Sequence, residues 1–291
     1  GGSVLDTGKA VSGLLPVREK VEDYLEGVGR GLKLERPGVP WIAVPTTSGT
    51  GAEVTKNAVL KSRELGAKKS LRSPYLLAAC AVVDAELTIG APLALSGIAG
   101  MDGLTQLVES FLSRKAAPIP SALARHAFPP MLKALRRIPE DPADADARGA
   151  AAYGAMVSGI ALANSGLGAA HGFASGLGGL YDIAHGLICA LFIGPVLRAN
   201  AELIRDGCGL LYRSAVEQGA AEPGSQDPVQ WLIDQFDSLF YLYGLPKDLK
   251  GFGIDPGRIP EIARRSSGSS MSGNPRELPQ DERETMIAGL L

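Results

Sequence analysis

Two apolar rhythms divide the chain. Up to about Ala91, short continuous apolar runs alternate with stretches of helical period, and beyond Pro92 the helical period alone persists. Asp6 to Leu15 and Val17 to Gly27 carry helix periodicity. Trp41-Ile42-Ala43-Val44-Pro45 and Ala79 to Asp84 read as buried strands, the first closed by a cluster of Thr, Ser and Gly. Strands alternating with helices predict a parallel α/β layer. After Pro92, Ala, Leu and Gly at helical spacing predict helices over 98–114, 119–137, 145–166, 185–204, 228–243 and 259–266. Pro129-Pro130 predicts a kink or break in the second of these, because proline lacks the backbone donor and crowds the preceding turn. Stretches 217–227 and 266–279 read as surface loops. The fold class is therefore α/β plus all-α: a parallel-sheet domain over 1–91, then a helical domain over 92–291.

Composition narrows the partner. With 29 basic and 31 acidic residues among 291, no charge bias favours nucleic acid or an acidic membrane, which leaves a small molecule. No apolar run reaches the roughly 18 residues of a spanning helix, and no signal-type segment opens the chain. Cys80, Cys189 and Cys208 are far apart and fit no CxxC pattern, which argues against disulfides or a thiolate metal site and for a reducing cytoplasm. The opening residues look like a turn entering a helix with no strand before it, so an upstream segment is expected.

Two turns carry donor-rich chemistry. Gly1-Gly2-Ser3 before a helix offers backbone N–H groups at the positive end of the helix dipole, suited to a pyrophosphate and equally compatible with an ordinary strand-to-helix turn. The run from Pro45 to Glu53 (PTTSGTGAE) adds hydroxyls and glycines after a predicted strand. Two such turns suggest a nucleotide across strand ends. Of three histidines, His171 and His185 share one Gly-rich segment, HGFASGLGGLYDIAHG. Asp102 and Gln106 stand at i and i+4 and share a helix face, where two oxygens can converge on a cation. Competing readings are a hydrogen-bonded core role for each histidine, an N-cap for Asp102 and a solvated surface position for Gln106.

GGSVLDTGKA, PTTSGTGAEVTKNAV, GMDGLTQLVESF, HGFASGLGGLYDIAHG, GPVLRAN and NPREL, in that order and spacing, resemble the iron-containing (group III) alcohol dehydrogenases across essentially the whole chain. The resemblance implies a dinucleotide-binding α/β domain and a helical domain of dehydroquinate-synthase type, with NAD or NADP and substrate meeting between them. It implies that Gly1, Gly2 and Ser3 form the pyrophosphate loop, that Thr46, Thr47 and Thr50 contact the second phosphate and nicotinamide side, that Lys69 stands near the nicotinamide ribose, and that Leu87, with the segment to Pro92, lies beside the cofactor. It further implies a divalent metal, Fe²⁺ or Zn²⁺, on Asp102, His171 and His185 as the catalytic centre. Gln106 holds a position where the family has histidine, and Ser175 one where a further histidine is common. A neutral amide oxygen in place of imidazole implies weakened, altered or lost binding of Fe²⁺ or Zn²⁺, with harder ions gaining. The implied activity is hydride transfer between nicotinamide and a small primary alcohol or aldehyde, in a cytoplasmic homodimer. The alternatives are a dehydroquinate-synthase-like lyase that uses the cofactor transiently, or a degenerate non-catalytic homologue.

Overall fold

The computed structural model describes residues 1–62 and 67–291. Helix α1 (Gly2–Leu14) opens it, entered without a side-chain cap. Strand β1 (Ile42–Ala43) pairs in parallel with β4 (Cys80–Ala81), and between them lies an antiparallel hairpin, β2 (Asn57–Ser62) and β3 (Ala67–Arg72). Both expected apolar runs thus form a parallel pair, but they are only partly buried: Ala43 is fully covered, whereas Ile42, Val44 and Val82 are exposed. The hairpin was not legible in the sequence, because Lys61, Lys68, Lys69 and Arg72 leave little apolar alternation in its strands. Ala58 and Leu71, directly opposite each other, turn to a small core shared with Ala10 of α1, Leu34 and Leu76.

The helix expected over Val17–Gly27 is absent. Only a short 3₁₀ turn forms, Val21–Tyr24. Leu25 bridges Leu71 and the Glu26 N–H donates to Ser70 O at 2.9 Å, so hairpin pairing takes the backbone that a helix would use. Glycines at 27, 29 and 31, all with φ between 55° and 69°, then fix left-handed turns that no helix continues through.

From α2 (Leu93–Leu112) onward the structure is helical: α3 (Pro118–Arg137), α4 (Ala145–Ser165), α5 (Ala169–Leu180), α6 (His185–Ala199), α7 (Ala201–Glu217), α8 (Pro228–Leu242), α9 (Ile259–Arg265) and α10 (Gln280–Ala288). Helix α2 is buried on every side over its middle, from Gly100 to Ser110, and forms the axis of the helical core. Pro129 and Pro130 do not break α3. The Arg125 carbonyl, which Pro129 cannot serve, accepts from the Ser214 hydroxyl at 3.3 Å. The helix expected over 185–204 is instead two, α6 and α7, bent by 115° at Asn200. The Asn200 and Asn274 amides pair at 3.1 and 3.3 Å, and Arg276 donates to Ala199 O, so the carbonyls freed by the bend are satisfied inside the core. Helices α5 and α10, and all but the first turn of α7, went unforeseen. Gly-rich α5 is held by close packing on α9, and charged α10 has little apolar face of its own. Among the described residues no single helix is long and apolar enough to cross a membrane.

Candidate functional site

The centre of α2 supplies Asp102, the first turn of α5 His171, and the first residue of α6 His185. Asp102 lies two turns inside α2, which rules out an N-cap, and Gln106 is buried one turn further on, which rules out a solvated face. Gly186 lets α6 approach: a Cβ there would stand 2.4 Å from Ile98 O and 2.8 Å from Asp102 Cβ.

His171 Nε2 and Asp102 Oδ1 face each other at 3.3 Å, both fully buried, neither with a hydrogen-bond partner among the described residues. Unpartnered buried polar atoms are costly, and two converging on one point mark a place where a cation would satisfy both. Donor atoms of Asp102, His171, His185 and Cys189 all lie within 4.8 Å of one another. Cys189 Sγ is 3.7 Å from His185 Nε2. The spacing argument against a thiolate at the site missed this residue, because its signal is not CxxC but i, i+4 from His185 on one helix face.

The Glu109 carboxylate fixes the ring of His171. It takes Nδ1–H at 2.6 Å on one oxygen and the Ala170 N–H at 2.7 Å on the other, leaving Nε2 directed at the cluster. Glu109 was also missed, although it lies two turns from Asp102 on the same face of α2. Gln106 Oε1 accepts from the Ser158 hydroxyl of α4 at 2.7 Å. Ser175 Oγ bonds back to His171 O and adds no imidazole.

The electrostatics suit a cation. Burial opposes ionisation of Asp102, but the neighbouring imidazoles outweigh it and hold the carboxyl below its ordinary range. Burial likewise opposes protonation of His171, and the Cys189 sulfur with the carboxylates of Asp102 and Glu109 overcomes it and raises the imidazole well above its usual value. Burial lowers His185, and pushes the Cys189 thiol up to about 12.

The two donor-rich turns meet. The Gly1 amino group donates to Thr46 Oγ1 at 3.1 Å, and a Cβ on Gly1 or Gly2 would press on the Thr47 or Thr50 hydroxyl at 3.1 or 3.0 Å. Glycine therefore keeps open a cradle of hydroxyls against the first turn of α1, where helical N–H groups have no internal acceptor. Ser3 is exposed at its edge. Gly51, at φ 59°, turns the second loop onto α4 at Gly159. Leu87 is exposed on a 3₁₀ turn, Ala85–Thr88, whose Thr88, with Ala91, lines one crevice with Thr47 and Ser48. Lys69 does not share the face of β3 turned to the metal cluster. Its Nζ lies beside Gly27, whereas Lys68, on the other face, places Nζ beside Gly178 of α5, and burial lowers its pKa.

Family comparisons agree with this geometry. Residues 97–290 match the carboxyl-terminal model of the Fe-containing alcohol dehydrogenase family, and residues 1–85 match the model described as iron-containing alcohol dehydrogenase. The chain is 32% identical over 283 residues to lactaldehyde reductase of Escherichia coli (strain K12), covering 95% of this chain and 72% of that one. It is also 32% identical over 267 residues to long-chain-alcohol dehydrogenase 1 of Geobacillus thermodenitrificans (strain NG80-2), covering 91% and 66%. A crystal structure of 1,3-propanediol oxidoreductase superposes with a TM-score of 0.90 at 29% identity, over all of this chain and 75% of that one. Sulfoacetaldehyde reductase from Bifidobacterium kashiwanohense in complex with NAD⁺ superposes at 0.86 and 29%, over all of this chain and 74% of that one.

Proposed function

Because the chain belongs to the iron-containing alcohol dehydrogenase family, we propose that it transfers hydride reversibly between NAD(P)(H) and a small primary alcohol or aldehyde at a divalent metal. The observation that carries this reading is the pair of unpartnered buried atoms, Asp102 Oδ1 and His171 Nε2, with His185 beside them. When bound, a divalent cation supplies Lewis acidity toward an alcohol or carbonyl oxygen, and a nicotinamide gives or takes the hydride. Asp102, His171 and His185 would hold the cation, with Gln106 at the position the family gives to histidine. Glu109 keeps His171 in the tautomer that presents Nε2. Gly1, Gly2, Ser3, Thr46, Thr47 and Thr50 would bind the phosphates, and the turn carrying Leu87 would border the cofactor. Lys68 suits the nicotinamide-ribose side better than Lys69, since it extends toward α5. The division at residue 91 into a nucleotide-binding lobe and a metal- and substrate-binding lobe belongs to the same reading. It is supported by the confinement of all described strands to residues before 82. Three free cysteines, two of them buried, favour a reducing cytoplasm, and a homodimer follows from the family resemblance alone.

The relatives named above are dehydrogenases and reductases, which favours net oxidoreduction over the lyase alternative. The test is nicotinamide absorbance with short alcohols and aldehydes. Cofactor should be consumed in proportion to product, and Asp102→Ala or His185→Ala should abolish turnover with the fold intact by circular dichroism. Turnover unchanged from wild type in both variants overturns the metal role, and a cofactor requirement without accumulating reduced nicotinamide overturns the dehydrogenase reading in favour of a lyase.

A further inference from the structure

We propose that Cys189 is a ligand of the cation, so that the fourth protein donor is a thiolate sulfur from α6 and not the amide of Gln106, and that the resident ion is zinc. This rests on the metal reading above and goes beyond it in assigning the donor set. Four-coordinate zinc has bonds of roughly 2.0–2.1 Å to nitrogen or oxygen and 2.3 Å to sulfur, which put donor atoms about 3.3 Å apart for an oxygen–nitrogen edge and about 3.6 Å for a sulfur–nitrogen edge. The two edges the structure shows are 3.3 Å, Asp102 Oδ1 to His171 Nε2, and 3.7 Å, Cys189 Sγ to His185 Nε2. His185 and Cys189 are one turn apart on α6 and present their donors to the same side. Cys189 is fully buried and forms no disulfide, so its sulfur is shielded from oxidants and large reagents yet adjacent to two imidazoles and a carboxylate.

Gln106 is the less suited donor. Its carbonyl oxygen is engaged by the Ser158 hydroxyl of α4 at 2.7 Å. A neutral amide leaves the dication with Asp102 as its one charged ligand, whereas a Cys189 thiolate adds a second negative charge in a buried site. A thiolate, two imidazoles and a carboxylate favour borderline-soft zinc over iron, while a carbonyl oxygen in the sulfur's place favours harder ions. On binding, the thiol S–H bond breaks, the proton leaves to solvent and the sulfur lone pair enters the coordination shell, with no change of oxidation state.

The experiment replaces the resident ion with Co²⁺ under anaerobic conditions and records the near-ultraviolet and visible spectrum, with stoichiometry by elemental analysis. Wild type, Gln106→Ala and Cys208→Ser should each show a thiolate-to-cobalt charge-transfer band and the intense visible bands of four-coordinate cobalt. Cys189→Ser should bind Co²⁺ more weakly and lose the charge-transfer band. Protein purified without added metal should carry zinc. Stoichiometric cobalt without a charge-transfer band in wild type overturns the thiolate assignment while leaving the metal site standing. A band that persists in Cys189→Ser overturns it too. If Cys189→Ser fails to fold, the wild-type and Cys208→Ser spectra still decide, because Cys80 lies on the exposed strand β4 and, among the described residues, Cys189 is the one thiol beside the histidines. Failure of wild type to retain either Co²⁺ or Zn²⁺ on dialysis overturns the metal reading itself.

Discussion

At the scale of single residues, two buried carboxylates show how the same ionisable group serves opposite ends. Glu109 has both oxygens occupied by N–H donors, Ala170 N and His171 Nδ1, so its charge is spent on fixing an imidazole. Glu109→Gln keeps the size and removes one acceptor, so an amide NH₂ must face one of two N–H groups. Loss of such a supporting carboxylate should lower metal affinity by about 10–100-fold with the helical content unchanged, read by competition with a chromophoric chelator; unchanged affinity would show that His171 orients itself. Glu53, buried beside the Thr-rich loop, is the contrary case. Burial raises its carboxyl above the ordinary 4.5, and the charge of Lys9 offsets this only in part. A carboxyl raised in the folded protein keeps its proton where the unfolded chain has released it, so its contribution to stability falls as pH rises from 4.5 through the folded value. Glu53→Gln removes that slope. Relative to wild type, the variant should gain stability as pH rises from about 4 to 7, measured by denaturant titration at several pH values, and a wild type that gains over the variant across this range would contradict the burial account.

At the scale of elements, what could be read from the chain depended on how much of a segment's fate is local. Helices α3, α4, α8 and α9 were visible because their apolar positions recur at helical spacing, and three of them begin at proline or behind a capping aspartate. The segment 17–27 has the same rhythm, yet its backbone is claimed by β3, a partner more than 40 residues away that no window of sequence contains. The bend at Asn200 was hidden for a related reason: the amide that stabilises it comes from Asn274. In the site, Asp102, His171 and His185 were legible through family resemblance, and Glu109 and Cys189 only through helix phase. Lys69 was named from the resemblance alone, since strand alternation cannot be applied until the strand is known to exist. Gly186 links element packing to chemistry, since α6 reaches α2 at Ile98 and Asp102 only where it has no side chain. Gly186→Ala should force the two helices apart, costing about 1–3 kcal/mol by overpacking, and should reduce metal retention together with thermal stability. A variant with wild-type stability and wild-type metal content would show that the α2–α6 contact is loose enough to absorb a methyl group.

Over the whole molecule, the metal cluster draws its donors from three separate helices, α2, α5 and α6, and these are packed into the one large core that spans the helical part of the chain. A site assembled from elements distant in sequence does not exist in the unfolded chain, so the free energy of holding an ion is also free energy of folding. The proposed phosphate cradle would likewise be built from two segments some 45 residues apart, joined at Gly1 and Thr46, and it draws on the first turn of α1 and the Thr-rich loop, outside the core that a bound ion would clamp. Metal and nucleotide should therefore stabilise the protein to different degrees, with the ion acting on the helical core. At free Zn²⁺ a hundredfold above its dissociation constant, linkage gives about 2.7 kcal/mol, which for a chain of this size is a rise in Tm of roughly 4–5 °C. Differential scanning calorimetry of chelator-treated protein, before and after adding back Zn²⁺, reads this directly. The rise should disappear in His185→Ala, which deletes a donor at the start of α6 without touching the core behind it. A rise of equal size in His185→Ala would place the stabilising ion elsewhere on the molecule, and no rise in wild type would mean that the unpartnered atoms of Asp102 and His171 are tolerated in the folded protein without a cation to satisfy them.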